Sequence, residues 1–210
     1  MNNPAQTITT IFLDVGGVIL TNGWDHLMRK QAAEKFHFNL DEFNERHGLA
    51  FVAFEEGKIT LDEYLNLSIF YKKRDFSIDQ FKEFMYAQSK PFPEMIALIK
   101  SIKKQYGLKV FAVSNEGKEL MLHRINSFKL REFVDAFVCS CFINMRKPDP
   151  DFYRLALDIS QAKPSEIVYI DDRPMLVEIG KKLGFHGIIQ KDLDATKETL
   201  MQLLGNKVLV

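Results

Sequence analysis

The sequence predicts an α/β fold: a parallel sheet with helices on both faces, interrupted after its first strand by an all-helical insertion. Three observations predict it. From residue 108 onward, short apolar runs alternate with segments of helical spacing, the order that builds a parallel sheet. Those runs are apolar at nearly every position, so both faces of each strand must be covered. Between residues 22 and 90 no strand-like run separates the segments of helical spacing.

The elements follow in order. "TIFLDV" is a buried strand over about Thr10 to Asp14, ending on a carboxylate and then on Gly16 and Gly17. "WDHLMRKQAAEKF" has helical spacing. "TLDEYLNLSIFYKK" opens with Thr60 and Glu63, and "SIDQFKEFMYAQ" with Ser77 and Gln80, both at capping-box spacing. A helix is expected from Pro93 to a stop at Gly107. Then "LKVFAVSN" is a strand, "EGKELMLHRINSF" a helix, and "DAFVCS" a strand carrying Cys139 and Cys141 on one face. "DPDFYRLALDIS" is a helix with Asp149 as N-cap and Pro150 at its first position. "EIVYIDD" is a strand, "PMLVEIGKKLG" a helix stopped by Gly184, "HGIIQ" a strand and "DATKETLMQLL" a closing helix. The result is a Rossmann-like core of residues 1–21 and 91–210, with residues 22–90 as the helical insertion.

Bulk properties narrow the function classes. With 210 residues, 46% apolar and 27% charged, the chain can bury a sizeable core. Lys+Arg and Asp+Glu are both 28, so net charge gives no case for nucleic acid or an anionic membrane. No basic-then-apolar leader and no long apolar run is visible, so neither a signal segment nor a membrane span is expected. The two cysteines are expected as reduced, buried thiols, which fits the cytoplasm. No two of the five histidines fall at a metal-binding spacing.

In open α/β sheets, ligands bind beyond the carboxyl ends of the strands. Asp14 stands there after the first strand, Ser114 and Asn115 after the second, and Asp171 and Asp172 after the fourth. The segment "INMRKPDP" brings Lys147 to the same rim. Three carboxylates gathered at one rim repel unless a cation sits among them, and Mg²⁺ suits an all-oxygen set. Lys147, Ser114 and backbone N–H groups suit a phosphate. Each residue taken singly has a plainer reading. Asp14 could be a turn former, Ser114-Asn115 a helix cap, Lys147 a solvated surface lysine, and Asp171-Asp172 a turn and N-cap pair.

Together, "FLDVGGV", "VFAVSNEG", "MRKPDPDFY" and "VYIDDRPMLVE" resemble the four motifs of the haloacid dehalogenase-like (HAD) hydrolase superfamily, over essentially the whole chain. The insertion resembles that family's small helical cap. The glycine two after Asp14, the stretch "FEEGKITLDEYL" and "MRKPDPDFY" look most similar to the branch of sugar-phosphate phosphatases of the α-glucose-1-phosphate type.

The resemblance implies a Mg²⁺-dependent phosphatase acting on a small phosphorylated metabolite. Asp14 would be the nucleophile, forming an aspartyl-phosphate. Asp14, the Gly16 carbonyl, Asp171 and Asp172 would hold the metal. Ser114 and Lys147 would hold the phosphoryl oxygens, with help from the backbone N–H groups of Val15, Gly16 and Asn115. Gly23, Trp24 and the stretch from Glu55 to Lys58 are expected to face the site. Trp24 would stack on a sugar or else pack between core and insertion. Hinges are expected near Thr21–Gly23 and Ser89–Pro91.

Two positions depart from the family pattern. Gly16 stands where most phosphatases of the superfamily carry a second acid, which protonates the leaving group. Leu176 stands where an Asp or Asn usually supports the metal. A haloacid dehalogenase using Asp14 against carbon, and a degenerate binding module, are the alternatives.

Overall fold

The computed structural model describes residues 8–205. Residues 1–7 and 206–210, the two ends of the expected core, lie outside the described residues. Among the described residues, five strands form one parallel sheet: β1 (Thr10–Leu13), β2 (Lys109–Ser114), β3 (Ala136–Cys139), β4 (Ile167–Asp171) and β5 (His186–Ile189). Their order is β3-β2-β1-β4-β5. The chain steps outward from β1 through β2 to β3, then crosses back to β4. The order therefore reverses at β1, where such sheets open a crevice.

Alternation along the strands explains their apolar runs. Ile11, Leu13, Val110, Ala112, Val168 and Ile170 enter one core with α5 (Pro93–Tyr106), α6 (Lys118–Ser127) and α10 (Leu193–Leu204). Phe12, Phe111, Val113, Ile167 and Tyr169 enter the opposite core with α8 (Pro150–Ser160) and α9 (Pro174–Lys182). Both faces are covered, as a parallel sheet requires. Leu13 pairs with Ala112 and with Ile170, so the next residues, Asp14, Val113 and Asp171, stand level at one rim.

The segment between β1 and α5 holds α1 (His26–Phe36), α2 (Leu40–Glu55), α3 (Leu61–Ser68) and α4 (Ile78–Ala87). Both capping boxes form, Thr60 with Glu63 and Ser77 with Gln80. The helices share an aromatic cluster of their own around Trp24, Phe43, Phe54, Tyr64 and Phe81. Leu120 of α6 joins this cluster, and a Cβ on Gly117 would run into the Phe54 ring. That close approach seats the helical unit on the sheet.

The two connections run side by side. Thr21 donates its N–H to Lys90 O (2.9 Å) and its hydroxyl to Gln88 O (2.6 Å).

One expectation is corrected. Cys139 and Cys141 do not share a strand face. β3 ends at Cys139, and residues Ser140–Ile143 form a short helix, α7, closed by Asn144 in the left-handed region (φ 55°). Ser140 turns inward because its hydroxyl meets Glu55 O and the Glu116 N–H. Both cysteines are free and buried, and burial pushes the Cys141 thiol up to about 12.

The helical unit contains a titration of its own. The Tyr64 hydroxyl is shared by the Trp24 indole N–H (3.0 Å) and His47 Nδ1 (2.7 Å). Burial, with the Arg29 charge adding to it, pulls His47 from its ordinary 6.5 down to about 4. His47 is thus neutral in the fold, and the unfolded chain takes up its proton first as pH falls. Its contribution to stability is complete above pH 6.5 and is lost between 6.5 and about 4. Thermal melts across that window should lose part of their pH slope in His47→Gln. An unchanged slope would remove His47 from the account.

Candidate functional site

The chain turns sharply after Asp14. Val15 O accepts from both Ile19 N and Leu20 N, and Gly17 N donates to Leu20 O (2.7 Å). Gly17 has φ +73°, and a Cβ there would collide with the Asp172 carboxylate. Glycine is required at 17 on both counts. The turn thereby holds Asp172 close against the loop that follows the first strand.

Lys147 is the hub. It is 2% exposed although its charge would favour water. Its ammonium donates to Asp171 Oδ2 (2.6 Å) and Val113 O (2.9 Å) and pairs with Asp14 Oδ1 at 3.3 Å. Burial alone would lower its pKa, but the charges of Asp14 and Asp171 outweigh that and hold it above its ordinary value.

Asn115 fixes the backbone of this lysine from both sides. Its amide donates to Lys147 O and accepts from Lys147 N, each at 2.8 Å. Helix α6 begins three residues beyond Asn115 with Gly117 as N-cap and no side-chain cap, so Ser114 and Asn115 do not cap it.

The three acids differ. Asp14 is 8% exposed, and burial leads in raising it to about 6. Lys147 opposes that rise, Asp171 adds to it, the nearby Ser114 hydroxyl opposes it, and Asp172 adds to it. Asp171 is fully enclosed and has both oxygens engaged. Oδ2 accepts from Lys147 and from the Tyr169 hydroxyl (2.6 Å), and Oδ1 accepts from Arg173 N (2.8 Å). Burial would raise Asp171, but the Lys147 charge and these hydrogen bonds keep it below the usual carboxylate range.

Asp172 accepts from Asn22 Nδ2 (3.1 Å) through Oδ2, while its Oδ1 is buried without a hydrogen bond. Asp14 Oδ1 is also buried with no hydrogen bond, its contact with Lys147 being the longer ion pair. One oxygen from each of Asp14, Asp171 and Asp172 lies within 4.8 Å of the others.

A cavity of about 360 Å³ opens beside Asp14 and Lys147, between the sheet and the helical unit. Asp14, Gly16, Asn115 and Lys147 line it from the sheet side, and Gly23, Trp24, His47 and Glu55 from the helical side. Trp24 is 6% exposed and packs edge-on against Phe43 and Phe81, with its indole N–H spent on Tyr64. Lys58 is exposed and pairs with Glu56. Val15 and Ser114 are buried, and the Ser114 hydroxyl faces Asp14. Leu176 lines the cavity as a mostly buried apolar side chain.

Two long-range contributors, Asn22 and Arg124, have no local signal in the sequence, and a third, Glu55, lies in the stretch expected to face the site. Asn22 reaches Asp172 across 150 residues of chain. It also occupies the room beside Gly16, where an added Cβ would sit 2.9 Å from Asn22 Oδ1 and 3.5 Å from Arg124 Nη1. Arg124, 1% exposed, pairs with Glu116 (2.9 Å) and donates to Ser89 Oγ (3.0 Å) and Thr21 O (3.2 Å). It ties both connections to α6, and a Cβ on Gly23 would run into its guanidinium. Glu55, the last residue of α2, is buried beside Arg146 (2.8 Å).

An open parallel sheet with a buried lysine and three converging carboxylates at its switch point defines a site for a polar, anionic ligand. The chain matches the haloacid dehalogenase-like hydrolases over residues 8–184, and it belongs to that family. Among curated relatives, it is 26% identical to a D-ribitol-5-phosphate phosphatase from Bacteroides thetaiotaomicron, over 85% of this chain and 89% of that protein. It is 27% identical to flavin mononucleotide hydrolase 1 from Arabidopsis thaliana, over 75% of this chain. The chain spans 63% of that protein's length and 30% or less of several longer relatives. A solved HAD family enzyme from Bacteroides thetaiotaomicron, in complex with magnesium and inorganic phosphate, has the same fold. It superposes with a TM-score of 0.72 at 19% identity, covering 88% of this chain and 94% of that one. Among the described residues, no helix is long and apolar enough to cross a membrane.

Proposed function

We propose that this chain is a Mg²⁺-dependent phosphatase that hydrolyses a small phosphomonoester, a sugar phosphate, through an aspartyl-phosphate on Asp14. The observation that carries this is the pair of buried carboxylate oxygens, Asp14 Oδ1 and Asp172 Oδ1, that make no hydrogen bond inside a three-acid cluster. Buried carboxylate oxygens left without a hydrogen bond are costly, and a hard cation with oxygen ligands answers them. Asp14, the Gly16 carbonyl and Asp172 would hold Mg²⁺, with Asp171 completing the acid set. The ion, when bound, supplies positive charge to the phosphoryl oxygens. The magnesium and phosphate in the Bacteroides enzyme, and the phosphatase names of the relatives, support the same reading.

The chain's own residues then divide the work. Asp14 attacks phosphorus as the carboxylate. Lys147, anchored by Asp171 and Val113 O, holds the anion and neutralises Asp14. Ser114 and the N–H groups of Val15, Gly16 and Asn115 take the remaining phosphoryl oxygens. Asn22 supports Asp172 in place of the side chain that Leu176 cannot supply. Residues 1–21 and 91–210 act as the core and residues 22–90 as a cap, hinged where Thr21 meets Gln88 and Lys90. The cap closes over the substrate and excludes water, with Trp24 in its wall. The buried free thiols suit the cytoplasm.

A panel of phosphorylated sugars and nucleotides, with p-nitrophenyl phosphate as reference, tests the activity. Phosphate release should require Mg²⁺ and stop in EDTA. Turnover that persists in EDTA would reject the metal-dependent reading. Halide release from 2-haloacids with no phosphate release would select the dehalogenase instead.

A further inference from the structure

Gly16 cannot give a proton to the leaving group, yet an alkoxide is a poor leaving group without one. The walls of the cavity supply few candidates. Asp25 accepts from Leu27 N and Met28 N, both at 2.9 Å, and caps α1. Glu116 is locked against Arg124 and accepts from Gly117 N. His47 is bound to Tyr64 and is neutral near pH 7. His26 is exposed at the rim.

Glu55 remains. It lines the cavity with Asp14, is 8% exposed, and meets Arg146 through one carboxylate oxygen, Oε2. The backbone at this end of α2 is also tied to the sheet unit. Ser140 Oγ donates to Glu55 O (2.7 Å), Asn144 Nδ2 donates to Glu56 O (2.7 Å), and Gly57 packs directly on the Cys141 carbonyl. A carboxyl carried by α2 is thus held beside the strand ends while the helical unit is seated on the sheet.

We propose, resting on the phosphatase reading above, that Glu55 is the general acid and base that Gly16 cannot be. In the first step the Asp14 oxygen forms its bond to phosphorus as the bond to the leaving oxygen breaks, and protonated Glu55 gives that oxygen its proton. In the second step Glu55, now a carboxylate, takes a proton from water as the water oxygen bonds phosphorus and Asp14 leaves. Glu55 ends protonated and Asp14 ends as the carboxylate, so the cycle closes.

The environment suits this exchange. Burial lifts Glu55 to about 7 against the opposing charge of Arg146; Glu116 adds to the lift, and Arg173 and Lys147 oppose it. A carboxyl that gives and takes protons near neutral pH is what the two steps need.

The test compares the unmodified protein with Glu55→Gln on glucose 1-phosphate, phenyl phosphate and p-nitrophenyl phosphate, with Mg²⁺. Leaving groups that need a proton more should suffer more. The loss in kcat/KM, which reads the first step alone, should approach about 10²–10⁴-fold for the most basic leaving group and shrink towards p-nitrophenyl phosphate. A loss of equal size on all three substrates, or no loss on any, overturns the role of Glu55. Circular dichroism melts check folding. If Glu55→Gln does not fold, Glu55→Asp carries the same comparison, with a smaller loss that still grows with leaving-group basicity. Absence of turnover in the unmodified protein would instead reject the phosphatase reading, and the assignment with it.

Discussion

Asp14→Asn should abolish phosphate release, by at least about 10⁴-fold, while the protein stays folded. The amide keeps the shape of the side chain but is not a nucleophile. It also removes one of the charges crowded around Lys147, so the fold itself should tolerate the change. Asp14 raises the Lys147 pKa and is raised in turn by burial. Replacing it relieves a buried carboxylate that carries an oxygen without a hydrogen bond. Stability equal to or above that of the unmodified protein, with activity gone, is the expected pair of results. They are read by a thermal melt and a phosphate assay on one preparation.

Lys147→Met should have the second largest effect, and it should strike both properties. Without the ammonium, Asp14 and Asp171 face each other inside the fold with no counter-charge. Breaking a buried pair in this way costs about 3–5 kcal/mol. At this chain length that corresponds to a fall in Tm of roughly 6–20 °C. The deficit should shrink in acid. Removing Lys147 raises the folded-state pKa of Asp171, so the variant is least handicapped where that carboxyl is protonated and loses stability as pH rises through the raised value. A variant as stable as the parent at neutral pH would mean that Lys147 does not hold the acids together.

The legible part of this molecule was local. The strands announced themselves because Ile11, Phe12 and Leu13 face two different cores, leaving no position for a polar residue. The two capping boxes and the Asp149–Pro150 start of α8 were legible because a cap is written within four residues. Asp14, Ser114, Lys147, Asp171 and Asp172 could be placed at one rim because parallel strands bring their ends together.

What the sequence hid depends on contacts between distant segments. Lys147 could be placed at the rim, but its enclosure by Asp171 and Val113 O could not be read from the sequence. Cys141 follows a strand pattern, but Ser140 is drawn to Glu55 and Glu116 and turns the chain into α7. Glycine at 16 reads as a missing acid. In the fold the room beside it belongs to Asn22 and Arg124, six and 108 residues further along the chain. Arg124 has the spacing of an ordinary helix residue and ends up tying Thr21 and Ser89 to α6. None of these contacts is written in a motif, because each is a meeting of segments rather than a pattern within one.

The central claim is that Asp14 carries the phosphoryl group. Rapid quenching during turnover of a good phosphate substrate, borohydride reduction of the acyl phosphate and mass spectrometry of the digested protein test it most directly. The reduced, modified residue should be Asp14, and it should vanish in Asp14→Asn and in EDTA. Label on another residue, or steady turnover in Asp14→Asn, would contradict the account.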